Sequence, residues 1–211
     1  MIRTFLRDNG LTIALLAMFL FSLGGMILSG QAEYNGELAS HGRPPIGLAA
    51  YATSGHFISS LFENWESEFL QMATYVVLTA LLFQRGSAES RNPDEPFRPD
   101  DRLPWAGRHS VLAWVYEHSL GLALVTLFLA SFVLHGLGSL EAANQEAMLK
   151  GTEVKSIANY IVEARFWFES FQNWQSEFLA TAVLVVLSIV LRHRGSPESK
   201  PVAASNAQTG A

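Results

Sequence analysis

The sequence has no cysteine in its 211 residues. Disulfide bonds, thiolate metal sites and cysteine nucleophiles are therefore excluded. Charged residues are scarce at 16%, against about 25% in an ordinary soluble domain. The sequence also lacks a phosphate loop, a dinucleotide-binding fingerprint, a nucleophile elbow and a haem motif. We therefore predict no cofactor, and because the net charge is −5 with no strongly basic face, no nucleic-acid partner.

Long apolar runs account for the low charge. A helix needs about 20 mainly apolar residues to cross a bilayer, and two of the runs reach that length only if their helices begin upstream, near Asn64 and Asn173. The sequence therefore predicts an all-α integral membrane protein with four transmembrane helices, for which the lipid bilayer is the first partner. The four runs are Leu11–Leu28, Phe69–Phe83, Leu120–Leu137 and Phe178–Leu191.

Basic residues indicate the orientation of these spans. They concentrate before the first run, in the central connection and after the last run, whereas the loops 31–63 and 139–172 carry fewer. Because arginine and lysine favour the cytoplasmic side, we expect both termini in the cytoplasm and these two loops outside. The cytoplasmic set is Arg3, Arg7, Arg85, Arg91, Arg98, Arg102, Arg108, Arg192, Arg194 and Lys200.

The chain also repeats itself without a gap. Phe62–Leu70 aligns with Phe171–Leu179, and Arg85–Ser90 aligns with Arg194–Ser199, both at an offset of 109 residues. One register held over a whole two-helix unit indicates a tandem duplication. We expect the two copies to enter the membrane in parallel, related by a pseudo-two-fold axis along the membrane normal.

This duplication sets the predicted domain organisation. Stretches rich in apolar residues on the outer side are expected to form interfacial helices, and a further interfacial helix is expected at 108–118. The outer helices are predicted over Pro45–Phe62 and Val154–Phe171. The predicted segments are repeat 1 at 1–90, a cytoplasmic proline-rich linker at 91–109, repeat 2 at 110–199 and a disordered tail at 200–211.

The motif Asn-Trp-x-Ser-Glu-Phe-Leu occurs once in each copy, at Asn64–Leu70 and Asn173–Leu179. With the opening residues Arg7–Leu11, it resembles an uncharacterised bacterial family of small membrane proteins, a domain-of-unknown-function family, over residues 1–195. The resemblance implies a multi-pass protein of the bacterial inner (cell) membrane and no catalytic residues. The second copy differs, since Gln172 and Gln175 replace two glutamates.

Two interpretations of the motif stay open. In the structural one, Asn64 and Asn173 are helix N-caps, and Trp65 and Trp174 anchor the helices at the headgroup layer. In the functional one, ionisable groups within a span mark a polar or ion site. Its candidate residues are Asn64, Glu68, Gln71, Tyr75, Asn173 and Glu177.

The repeat would bring Glu68 and Glu177 together, where they could share a proton or bind a cation. Weaker metal candidates are the outer residues Glu37, His41, His56 and His135, which lack a paired ligand spacing.

Three functions follow from these alternatives. The favoured one is a non-enzymatic structural or accessory bundle, which could join a homo-oligomer or a larger membrane complex. The second is a small oligomeric ion or solute transporter or channel with Glu68 and Glu177 as its polar centre. The third is a membrane metalloenzyme that uses the outer histidines and carboxylates.

Overall fold

A computed structural model of the chain describes residues 2–95 and 111–210, and within them every regular element is a helix. Four helices are long and four are short. The short ones are α1 (Ile2–Asp8), α3 (Leu48–Ala52), α5 (Val111–Glu117) and α7 (Ile157–Tyr160). The long ones are α2 (Gly10–Ser40), α4 (Gly55–Leu81), α6 (Ser119–Lys150) and α8 (Ala164–Val190).

Three helices, α2, α6 and α8, are long and apolar enough to cross a membrane. The most apolar stretch of α2 has none of its residues buried, which is typical of a surface that faces lipid rather than water. Helix α4 is not among the three. It has the same length as α8, 27 residues. However, it carries Glu63, Glu66 and Glu68, where α8 has only one carboxylate at the matching positions.

Both motif helices begin earlier than the sequence predicts. Asn64 and Asn173 lie nine residues after the first residues of α4 and α8, so the prediction that they are N-caps is wrong. The reason is that the apolar stretches predicted to form separate outer helices mostly continue into the long ones. Only α3 and α7, of five and four residues, remain separate, because helical structure is interrupted after Ala52 and Tyr160.

The connecting segments are described only in part. Residues 96–110, which hold most of the predicted linker, lie outside the described residues. Helix α5 falls within the predicted interfacial helix at 108–118.

The tail differs from the predicted disorder. Its residues form turns, the Thr209 hydroxyl accepts from the backbone N–H of Gly86, and the backbone N–H of Gly210 donates to the Ser87 carbonyl oxygen.

A buried lysine holds this tail. Lys200 is 1% exposed, and its ammonium group donates to the backbone carbonyl oxygens of Gly86, Ser205, Asn206 and Gln208. Burying a charge is costly unless hydrogen bonds compensate for lost water. The tail supplies most of these acceptors, so its own turns form the pocket for the lysine.

The chain divides into two compact units. The first comprises residues up to Leu61 with His135–Tyr160, and the second comprises Phe62–Leu134 with the residues from Ile161 onward. In the first unit, Gly55 and Gly138 lie at close backbone contacts, and the hydroxyl groups of Ser59 and Ser139 are 2.5 Å apart. Small residues of this kind let helices approach closely.

Candidate functional site

In the second unit, the glutamates of the first motif copy bind side chains of the second copy. The Asn173 side-chain amide donates to Glu63 Oε1 at 2.6 Å, and the Trp174 indole N–H donates to Glu66 Oε1 at 3.2 Å. We call these two hydrogen bonds the carboxylate contacts. They join α4 to α8 directly, so both motif copies take part in one inter-helix connection.

Glu66 is the most buried residue of this connection, with no exposed surface. Its partner Trp174 also packs its ring against three phenylalanines, with ring centroids 5.3–6.3 Å apart. A buried carboxylate is costly unless its hydrogen bonds are satisfied. The tryptophan therefore combines apolar packing with the donor that Glu66 requires. The three phenylalanines are Phe128, Phe132 and Phe171.

The carboxylate contacts account for the glutamine replacements in the second copy. Gln172 and Gln175 occupy the positions equivalent to Glu63 and Glu66, and both are exposed. Within residues 2–95 and 111–210, the carboxylates of Glu63 and Glu66 in the first copy meet donors on the other motif. The sequence alone marks this difference between the copies, but it does not indicate which carboxylate is buried.

The candidate polar-site residues on α4 are only partly brought together with partners. Asn64 and Glu68 are exposed. Gln71 and Tyr75, further along the helix, are half-buried and have partners: the Gln71 amide donates to the Thr181 hydroxyl, and the Tyr75 hydroxyl donates to Glu89 Oε2 at 2.9 Å.

The predicted pair Glu68 and Glu177 interacts electrostatically, and a joint site of the two carboxylates stays a prediction. Glu177 is half-buried and Glu68 is exposed. Glu68 follows the first residue of α4 by 13 positions, or about 20 Å along the axis. The pair therefore lies near the middle of α4 rather than in its first turn, because the helix starts upstream of the motif.

The two motif tryptophans have different surroundings. Trp65 packs edge-on against Phe62 and Phe69, its neighbours on the same helix. Trp174 lies between helices, as described above. An anchoring role in the headgroup layer remains a prediction for both, and Trp174 has an inter-helix role that the sequence did not indicate.

A cavity of about 390 Å³ lies between α4 and α8, on the carboxy-terminal side of Glu68 and Glu177 along the two helices, and it is open to the surface. Its walls are largely apolar, with Leu78 and Val185 on opposite helices. Its polar lining residues include Gln71 and Thr181, and also Tyr75 with its hydrogen-bond partner Glu89.

Glu89 lines this cavity, and it interacts electrostatically with its counterpart from the second copy, Glu198, one repeat offset away along the chain. Burial raises the pKa of Glu89, and Glu198 raises it further, while the Tyr75 hydroxyl opposes the shift. The matched Arg-Gly-Ser-x-Glu-Ser segments of the repeat are the signal in the sequence for these two equivalent glutamates.

Each of the three histidines predicted as weak metal candidates has other contacts or is buried. His41 contacts the carbonyl oxygen of Glu37 rather than its carboxylate, His56 Nδ1 lies 3.2 Å from the Tyr51 hydroxyl, and His135 is fully buried. Among residues 2–95 and 111–210, no group of three or more His, Cys, Asp or Glu side chains could hold a metal ion.

Comparison with known proteins gives one match, and it covers nearly the whole chain. The model of a domain of unknown function, DUF6766, matches residues 2–211. The chain belongs to this family. The family resemblance predicted from the motif is thereby confirmed at the level of an uncharacterised family. No curated protein and no solved structure matches this DUF6766 chain.

Proposed function

We propose that this DUF6766 protein is a four-span integral membrane protein of the bacterial inner membrane, and that it acts as a non-enzymatic structural or accessory bundle. The proposed duplication is supported by the helix bounds. Helices α4 and α8 have equal lengths and begin 109 residues apart, the offset of the sequence repeat. Gly42 and Gly151, and likewise Gly86 and Gly195, share a positive φ at the same offset.

The fourth proposed span is α4. Its 27 residues rise about 40 Å, which exceeds the hydrocarbon core of about 30 Å. Carboxylates within a span are tolerated when they face the protein interior and pair with other groups. The partners of Glu63 and Glu66 on α8 meet this condition, so the glutamates that lower the hydropathy of α4 are compatible with a span.

The carboxylate contacts carry the structural proposal. A motif that served chemistry would present its carboxylates to a substrate, whereas Glu63 and Glu66 are held by Asn173 and Trp174. A hydrogen bond to a charged group contributes about 1.5–3 kcal/mol. Two such bonds between one pair of helices would fix their register.

A double-mutant cycle tests this proposal. Glu66→Gln and Trp174→Phe each remove one side of a carboxylate contact, and we expect each to lower the thermal stability of the purified protein in detergent. Because the two side chains bind each other, the double variant should lose less than the sum, by about 1–2 kcal/mol.

The chain offers a matched control in Gln175→Glu. This variant restores the carboxylate at the exposed position equivalent to Glu66, and we expect its stability to be close to that of the parent protein. Additive losses in the cycle, or equal losses in the control and in Glu66→Gln, would contradict the structural role.

A second candidate function is ion or solute transport through an oligomer, with Glu68 and Glu177 as the polar centre. The observation that favours it is the electrostatic interaction between these two carboxylates, because interacting carboxylates share protons or bind cations. Four helices are few for a closed path, so this function requires several copies.

Reconstitution separates the two candidates. Transport predicts proton or cation flux in vesicles that carry the protein, and predicts that Glu68→Gln and Glu177→Gln abolish the flux without lowering the melting temperature. The structural proposal predicts no flux above that of empty vesicles.

A further inference from the structure

We propose that the cavity between α4 and α8 binds an amphipathic ammonium ion, with its apolar body between the helices and its charged nitrogen at Glu89 and Glu198. This inference goes beyond the structural function proposed above, and it concerns residues that the motif does not include.

The size and lining of the cavity suit a small organic molecule. Its volume of about 390 Å³ falls in the range of about 300–1,000 Å³ that is typical of ligand pockets. Leu78, Leu82, Phe178 and Val185 contribute apolar walls from both helices. Such walls favour a hydrocarbon or aromatic body over a hydrated inorganic ion.

The negative charge at the cavity sets the sign of the ligand. Glu89 lines the cavity and its Oε2 accepts from Tyr75, but Oε1 is buried, and within the part of the chain that the structure describes no N–H or O–H group donates to it. Glu198 adds negative charge near Glu89. A buried carboxylate oxygen without a donor favours a cation that can donate an N–H group to it.

The arginine and lysine side chains near Glu89 donate hydrogen bonds to other acceptors. Arg85 forms a two-point ion pair with Asp94, Arg192 donates to backbone carbonyl oxygens, and Lys200 is enclosed by carbonyl oxygens. Arg91 donates to the Ala80 carbonyl oxygen and lies 5.3 Å above the Phe83 ring. The excess negative charge of the glutamate pair therefore remains available to a ligand.

Binding then exchanges one cation for another. Without ligand, burial and Glu198 raise the pKa of Glu89, which favours its protonated form. An entering ammonium group donates its N–H to Glu89 Oε1, and the Glu89 proton leaves to solvent. Because proton and ligand compete for the same carboxylate, ligand affinity should fall as the pH falls, by about tenfold per pH unit once Glu89 is protonated.

The experiment uses 3-phenylpropylammonium as the probe and the full-length purified protein in lipid nanodiscs. Calorimetry in two buffers of different ionisation enthalpy should show saturable binding with release of up to about one proton per probe. The neutral analogue 3-phenylpropanol has the same body without the charge, and we expect it to bind about tenfold more weakly or worse.

Two variants test the two parts of the site separately. Glu89→Gln removes the charge and should weaken binding at least about tenfold and abolish proton release. Ala182→Phe fills the cavity while Glu89 stays intact, and it should also weaken binding. Glu95→Gln removes an exposed carboxylate of the same connection and should leave binding unchanged.

The proposal is overturned if the alcohol binds as tightly as the ammonium ion, or if Glu89→Gln binds the probe like the parent protein. It is equally overturned if Glu89 titrates but the probe does not bind, which would leave a buried carboxyl group without a ligand. Melting temperatures show whether each variant is folded, and if Glu89→Gln is not, Ala182→Phe and the alcohol comparison still decide the outcome.

Discussion

Two glycines of the first unit are required by close contact rather than by an unusual backbone conformation. A Cβ on Gly138 would lie 2.6 Å from the backbone nitrogen of Ser59, and one on Gly55 would lie 2.7 Å from that of Ala142. Backbone atoms cannot move aside as the end of a flexible side chain can. Each glycine therefore sets how closely two helix backbones approach.

Replacing Gly138 by alanine should lower stability, because the helices must separate to admit a methyl group. We expect a loss of about 1–3 kcal/mol, as for other overpacked contacts, measured by thermal unfolding in detergent. Gly24→Ala is the matched control, since a Cβ there meets nothing within 4 Å. It should be neutral or slightly stabilising, because alanine favours helix more than glycine does. Equal losses in both variants would contradict the packing argument.

Glu89 gives a prediction about pH. Its pKa is raised in the folded protein by burial and by Glu198, so the folded state binds this proton more tightly than the unfolded state. Its influence is therefore most favourable below the unfolded pKa of about 4.3 and is lost as the pH rises through the higher folded value.

We expect the melting temperature of the parent protein, relative to that of Glu89→Gln, to fall as the pH rises from 4 to 8. The measurement is a melting series of the two proteins in the same detergent. A difference that is constant with pH would contradict the raised pKa.

At this scale the sequence predicted some contacts and not others. The repeat identifies Glu68 and Glu177 as equivalents, and the two carboxylates interact electrostatically, while their joint site stays a prediction. The burial of Glu66 could not be predicted, because it depends on which side of α4 meets α8. Glu89 was missed because it lies outside the apolar runs, where a carboxylate is ordinarily solvated.

At the scale of elements, the apolar runs located the long helices, but their lengths were underestimated. The runs at 69–83 and 178–191 mark only the later parts of α4 and α8. The earlier parts carry the motif and polar residues, which hydropathy assigns to a loop or interface. A helix tolerates those residues when a neighbouring helix supplies hydrogen-bond partners, and a single sequence does not show that neighbour.

The hydrogen bonds of Lys200 give a prediction about the carboxy-terminal tail. Lys200→Met removes the ammonium group that holds residues 201–210 in place, so the tail should detach from the loop at Gly86. Hydrogen exchange should become faster at the backbone N–H groups of the tail and of Gly86. Arg194→Met, at an exposed position four residues after the end of α8, is the control. Unchanged exchange in Lys200→Met would show that the tail turns hold without the lysine.

At the scale of the whole molecule, the number of crossings is the central prediction. Since the chain has no native cysteine, single cysteines can be introduced and labelled with a membrane-impermeant maleimide in intact cells. Four spans predict labelling from outside at Arg43→Cys and Glu153→Cys, and no labelling at Glu95→Cys or Ala203→Cys until the membrane is opened.

Three crossings would give a different pattern. If α4 did not span, Glu95→Cys would be labelled from the same side as Arg43→Cys. A functional assay for each variant is unnecessary, because expression level and labelling after lysis report whether the protein is present and reactive.

The hydrogen bond from the backbone N–H of Gly86 to the Thr209 hydroxyl joins positions 123 residues apart in the sequence. At a translation rate of about 5–20 residues per second, the loop at Gly86 is made roughly ten seconds before Thr209 exists. The hydrogen bond that holds this loop to the tail can therefore form only after the second repeat has been synthesised.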